Sequence, residues 1–222
     1  MNPTLADDFG RRWVTSMFET LLARTATLGD LDRRTGDGDF GSNIASALRR
    51  ARQEVDERTP HDYPGWVNAV SRGFLGTGGT SGPLFGMFFR DLSRCAVGTE
   101  PTLAEFSEGL ADGVATVQRY GRAEVGHKTM IDALAPAAQT LRTLVNEGAT
   151  ADEALALTAQ AAVDGAHRTA DLLAQRGRAS YVGEVARGVL DPGAVAAAIV
   201  MQTASAAQAE NAAPVDTSWL VG

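Results

Sequence analysis

The chain has 222 residues, 44% of them hydrophobic and 21% charged, enough apolar surface for a sizeable core and too much for a disordered chain. Its 20 Lys and Arg against 27 Asp and Glu leave a net charge of −7, the opposite of the basic footprint that bulk nucleic-acid binding requires. The single cysteine, Cys95, excludes an internal disulfide and a Cys-based metal site.

Aromatic residues at 6% and abundant alanine suit helices packed through small side chains, and apolar residues recur at helical spacing throughout. Residues Thr4–Thr27 place Phe9, Trp13, Met17, Leu21 and Leu22 on one face, with a cap signal at Thr4–Asp7. A second helix is expected over Asn43–Val55, a third after Pro64, and a fourth from Pro83, a residue suited to a first turn. Thr102–Glu105 and Thr150–Glu153 have the spacing of capping boxes. Between them, Lys128–Val145 reads as a helix kinked by Pro136. Asp191-Pro192 opens a final helix running to about Gln208. The expectation is therefore an all-α single domain of eight helices over residues 1–209, followed by a loose tail, 210–222. Residues 1–10 lack the apolar core of a signal sequence, and the apolar run Gly193–Ala207 is interrupted by Gln202, Thr203 and Ser205. A soluble, cytoplasmic chain with no membrane span is expected.

The chemistry-bearing residues fall between helices. In the connection Leu31–Asn43, Asp32, Asp37 and Asp39 are separated by glycines. Carboxylates this close repel one another unless a cation lies between them, and Mg²⁺, which completes its shell with phosphate oxygens and water, is suited to them. A solvated acidic turn capping the next helix is the plainer alternative. Gly36, Gly38 and Gly41 match a dinucleotide-binding spacing but follow a helix, and their aspartates would repel a bare pyrophosphate. Asp39-Phe40-Gly41 spells a kinase triplet without any His-Arg-Asp loop elsewhere.

A second connection, Gly76–Pro83, presents Gly79, Thr80 and Ser81 at a helix start, where bare amides and hydroxyls suit phosphate oxygens. The third, Gly121–Thr129, falls short of a Walker A loop because His127 intrudes before Lys128 and no strand precedes it. Lys128 and Thr129 either open a helix facing a nucleotide or form a solvated helix start. The fourth runs from Gly177 through Arg178, a partner for phosphate or base, to Asp191, Pro192 and Gly193, where a capped helix start would offer free amides.

Taken in order, Gly36–Asp39 with Asn43, Gly79–Gly86, Lys128–Leu134, Gly177–Tyr181 and Asp191–Ala194 resemble the nucleotide-binding L subunit of bacterial dihydroxyacetone kinase, over nearly the whole chain from Leu28 to about Met201. The resemblance implies a barrel of eight antiparallel helices. It also implies Mg²⁺ held by Asp32, Asp37 and Asp39, with ADP or ATP contacted at Phe40, Gly41, Ser42, Asn43, Gly79, Thr80, Ser81, Gly121, Met130, Arg178, Asp191, Pro192 and Gly193. No catalytic residue is expected beyond this metal–nucleotide site. The implied activity is phosphoryl transfer to a small keto-sugar held by a partner K subunit. A phosphotransferase-system M subunit would recharge the ADP, and a homodimer is compatible with the family. A non-catalytic nucleotide-binding regulator, or an ATP-dependent kinase subunit for another triose or tetrose, is the alternative. Two positions depart from the family pattern: Phe40 stands where it has histidine, and His127 where it usually has aspartate.

Overall fold

Arg24, with φ −108° and ψ 4°, interrupts what reads in sequence as one long N-terminal helix. Its N–H donates to Leu21 O, the Thr25 hydroxyl donates to Leu22 O, and helix α1 (Phe9–Ala23) gives way to α2 (Thr25–Thr35). The expected cap at Thr4–Asp7 is not used: α1 begins after Asp8, in a left-handed conformation and without a side-chain cap bond. The computed structural model describes residues 3–209 and 214–220. The remaining helices are α3 (Phe40–Arg58), α4 (Tyr63–Leu75), α5 (Ser81–Leu92), α6 (Leu103–Gly121), α7 (Ile131–Glu147), α8 (Ala151–Arg168) and α9 (Pro192–Gln208). The described residues thus form nine α-helices rather than the expected eight, with no strand. None of these helices is long and apolar enough to cross a membrane.

From α2 onward each helix packs on the next in the chain, and α9 packs back on α1 and α2. Helix α1 also rests on α3 and α4. Helix α9 is buried around its circumference from Ala194 to Met201, as a helix apolar on all sides must be. An aromatic cluster joins Phe9 and Trp13 of α1 to Tyr63, Phe89 and Phe106. The Trp13 indole N–H is satisfied by Val200 O at 3.0 Å, so the largest core side chain also ties α1 to α9.

The start signals are used as physical chemistry prescribes. Thr102 and Glu105 form a reciprocal capping box, Thr150 accepts from Glu153 N, and Asp191 accepts from Ala194 N at 2.7 Å. Helix α7 runs through Pro136, which has no N–H to give the Asp132 carbonyl four residues earlier. That carbonyl instead faces Gly165 of α8, whose absent Cβ lets the two backbones touch.

The segment expected to be loose is partly held. The Trp219 indole donates to Gln202 Oε1 at 3.1 Å and its ring lies 5.2 Å from His167, while buried Thr217 accepts from Arg24 Nε at 2.7 Å. Residues 210–213 and 221–222 of that tail lie outside the described residues.

A methyl group at position 165 would come within 2.9 Å of Ala133 Cα. Gly165→Ala should therefore lower unfolding free energy by about 1–3 kcal/mol through overpacking. Chemical denaturation checks this, and unchanged stability would show that the α7–α8 contact is looser than the packing implies.

Candidate functional site

Placing the Arg24 break early puts Asp32 in the last turn of α2 rather than in a loop. There its Oδ2 accepts the Phe40 N–H at 3.0 Å and joins the end of α2 to the start of α3. The turn between them depends on glycine: Gly38 has φ +80°, and a Cβ there would meet the Arg33 side chain at 2.6 Å. Partial burial raises the Asp32 pKa, the neighbouring Asp37 adds to the rise, and the Phe40 N–H opposes it. Asp37 itself pairs with Arg178, Nε to Oδ2, at 2.7 Å. Asp39 is exposed at the N-cap of α3 and makes no side-chain cap bond. The structure thus brings Asp32 and Asp37 side by side but does not gather all three aspartates into a ready triad. Among the described residues no three His, Cys, Asp or Glu side chains form a metal cluster. The donor set nonetheless suits a hard cation, because the mutual repulsion of Asp32 and Asp37 is what such an ion relieves.

Helix α5 begins at Ser81, two residues ahead of Pro83. The preceding loop is anchored by the buried Thr77 hydroxyl, which donates to Gly73 O at 2.9 Å. Gly79 takes φ +83°, and a Cβ there would lie 3.0 Å from Asn43 Nδ2, so this loop sits against the first turn of α3. Gly41, in that same turn, presses on Thr25 O and Gly29 with no room for a side chain. Helices α4, α6, α8 and α9 have side-chain N-caps; α1, α2, α3, α5 and α7 have none, and of these α3 and α5 start at the Asp39 and Gly79–Thr80 turns. Their first-turn amides suit an anion.

Phe40 does not present its ring to this opening. It is 8% exposed and packs in the core, and the backbone N–H that its position offers is taken by Asp32.

Lys128 departs from both sequence readings, facing neither an open site nor solvent. It is 1% exposed, and its ammonium donates to Thr169 O at 2.5 Å and Val189 O at 2.7 Å. His127 Nδ1 accepts the Glu124 N–H at 3.1 Å, which occupies it in the turn before α7. Buried Met130 forms the N-cap of α7 and lies beside Gly193, whose missing Cβ would sit 3.6 Å from Met130 N. Gly121 lies against Leu84, and Pro192 is buried at the start of α9. The Asp191 carboxylate takes the Ala194 amide that the sequence reading left free for a ligand.

A cleft of about 760 Å³ runs between three of the four connections, lined by Gly36, Asp37, Thr80, Arg176, Arg178 and Tyr181 among others. Of the expected contacts, Asp37, Thr80 and Arg178 line it; Asn43 and Gly79 meet beside it, and Met130, Asp191 and Gly193 form a separate group at the start of α9. Sequence reasoning passed over Arg176, whose Nε donates to Arg122 O at 2.6 Å. Its place beside Gly177-Arg178 is the signal that could have found it.

Burial pushes the Asp191 carboxyl up to about 7; Asp132 adds to the rise, and the Ala194 N–H and Lys128 oppose it. The folded carboxyl thus binds its proton more tightly than the unfolded one, near 3.8. Its stabilising contribution is fully present below the unfolded value and lost as the pH rises through the folded one. The unfolding free energy of the wild type minus that of Asp191→Asn should accordingly fall between about pH 4 and 7. Parallel pH profiles for the two proteins would contradict the assignment.

The DAK2 domain profile matches residues 34–206. The ADP-binding subunit DhaL of PEP-dependent dihydroxyacetone kinase 1 from Listeria innocua is 34% identical over 199 residues, 89% of this chain and 94% of that protein. The corresponding subunit from Escherichia coli is 31% identical over 200 residues, 89% of this chain and 95% of that one. The crystal structure of the C. freundii dihydroxyacetone kinase in complex with AMP-PNP and Mg²⁺ superposes with a TM-score of 0.65 at 28% identity, covering 90% of this chain. This chain spans only 34% of that kinase's length. On the extent of these matches and on the helical fold, the chain belongs to the DAK2-domain family.

Proposed function

We propose that this chain is the ADP-binding subunit of a dihydroxyacetone kinase, transferring a phosphoryl group to a keto-sugar held by a K subunit and recharged by a phosphotransferase-system M subunit. The observation that carries the reading is the convergence of Asp37, Thr80 and Arg178 on one cleft, in a chain matching DhaL subunits along nearly their full length.

Phosphoryl transfer asks a protein mainly for positioning and charge neutralisation. Asp32, Asp37 and Asp39 would hold Mg²⁺, which supplies positive charge to the phosphates when bound. The uncapped first turns of α3 and α5 offer backbone N–H donors to the same oxygens. Arg178 is 70% exposed at its side chain, so its pairing with Asp37 contributes less than about 1 kcal/mol. Arg178 therefore exchanges the carboxylate for a phosphate at little cost, which frees Asp37 for the cation. The Phe40 ring, held in the core, donates nothing to this charge balance. Among the described residues the cleft walls carry no histidine or glutamate to orient a sugar hydroxyl, which supports a reading in which a partner supplies the acceptor and its base.

The cation compensates the negative charge of the carboxylates and of the diphosphate together. ADP with Mg²⁺ should thus stabilise the chain by about 2.7 kcal/mol at a hundredfold excess over Kd, and more than either does alone. Asp37→Asn should abolish most of the metal-dependent part. Equal thermal shifts with ADP in Mg²⁺ and in EDTA would contradict the reading.

The purified chain by itself should not phosphorylate dihydroxyacetone at an appreciable rate, while addition of K and M subunits should give turnover. Nucleotide binding without turnover, with partners shown to be active on another L subunit, would favour a regulatory binding protein.

A further inference from the structure

Of the chain's 20 lysines and arginines, only residue 128 is a lysine. It is also the one of them that is fully buried. Its backbone is left-handed, φ +59°, a conformation that residues with a Cβ rarely adopt. From there the ammonium reaches the main chain at both ends of the segment 169–190: Thr169 O behind α8 and Val189 O ahead of α9. Burial lowers the Lys128 pKa, and the nearby Asp191, Asp132 and Asp171 oppose that fall. A compact ammonium with three rotatable donors fits between two carbonyls where a planar guanidinium fork is poorly matched.

What lies between those ends is thinly anchored. Ala186 is the one buried residue between Leu172 and Gly188, and the segment is built of short 3-10 turns. Its base is closed by Gly188 N to Ala170 O at 2.8 Å and Asp191 N to the Thr169 hydroxyl at 2.9 Å. Gln175 N donates to His127 O at 3.1 Å, so the segment is also laid against the turn that bears Lys128. The same segment carries Arg176, Arg178 and Tyr181 into the cleft wall.

We propose that Lys128 is a positioning residue for the nucleotide: its ammonium pins the base of the 169–190 segment to the α6–α7 turn and thereby holds Arg178 over the cleft. The proposal rests on the nucleotide reading above, and its test separates the two. In the full chain, Lys128→Met keeps the length of the side chain and removes the donors. Hydrogen exchange of amides in 172–187 should accelerate by about tenfold or more while α3–α6 stay protected. The Kd for ADP with Mg²⁺ should rise by about tenfold. Uniform loss of protection across α7–α9 would show Lys128 to be a core element only and overturn the proposal, as would unchanged exchange with Kd within about twofold of wild type. If the unsubstituted chain binds no ADP with Mg²⁺, the nucleotide reading fails, and the exchange pattern decides the clamp by itself.

Should Lys128→Met fail to fold, the native chain provides the test, because Lys128 and the N-terminus are its only primary amines. Reductive methylation of Lys128 should proceed at low denaturant through opening of the 169–190 segment, with the helical signal intact. Methylation only upon global unfolding would place Lys128 in the rigid core and overturn the clamp.

Discussion

Helix α9 can exist only if it is covered on every side, and this demand organises the molecule. Its alanines and its Val195, Ile199, Val200 and Met201 are all buried, so α1, α2, α7 and α8 must close around it. Small residues make the closure possible. Gly165 admits the Asp132 carbonyl, Gly73 admits the backbone of α3, and Gly41 admits the start of α2. Interiors packed at crystal-like density tolerate little adjustment, so the helix ends, and the connections between them, are fixed in place by contacts made in the core.

Those connections then bring the charged side chains together. Asp32 bridges α2 to α3 through the Phe40 N–H, Asn43 meets the Gly79 loop, and Arg178 reaches Asp37 from the far side of the cleft. Acidic and basic groups face one another across a cleft that Gly36, Asp37, Thr80 and Arg178 line. Such an arrangement is balanced for a ligand that brings charge of both signs, and a metal–diphosphate pair has that character.

Most of this was legible in the sequence where a local signal fixes a local geometry. The Thr102 capping box and the Asp191-Pro192 start carry their own partners within three residues, and both appear where expected. Sequence periodicity does not reveal the break at Arg24, because buried Leu28 and Leu31 carry the apolar spacing of α1 on past it, while the close approach of Gly41 to Thr25 beside the break is made by a residue of another helix. Lys128 was misread for a related reason. A lysine beside a glycine-rich turn resembles a phosphate-binding residue, and nothing local shows that two carbonyls more than 40 residues away receive it. Trp219 is likewise placed by Gln202 and His167 of distant helices rather than by its polar neighbours. The cleft residues Asp37, Thr80 and Arg178 were legible as types, whereas the pairing of Asp37 with Arg178 is a product of the fold.

The central proposal is that Asp32, Asp37 and Asp39 would hold a cation that neutralises a nucleotide's phosphates, whose oxygens would meet the uncapped starts of α3 and α5. Anomalous diffraction from crystals grown with ADP and Mn²⁺ tests it most directly. The account predicts a metal peak bound by carboxylate oxygens of Asp32, Asp37 and Asp39, with the diphosphate against the Gly79–Ser81 loop and Arg178 turned from Asp37 to phosphate. A diphosphate seated in the cleft with its metal held by other residues, or a nucleotide bound outside the cleft, would contradict it.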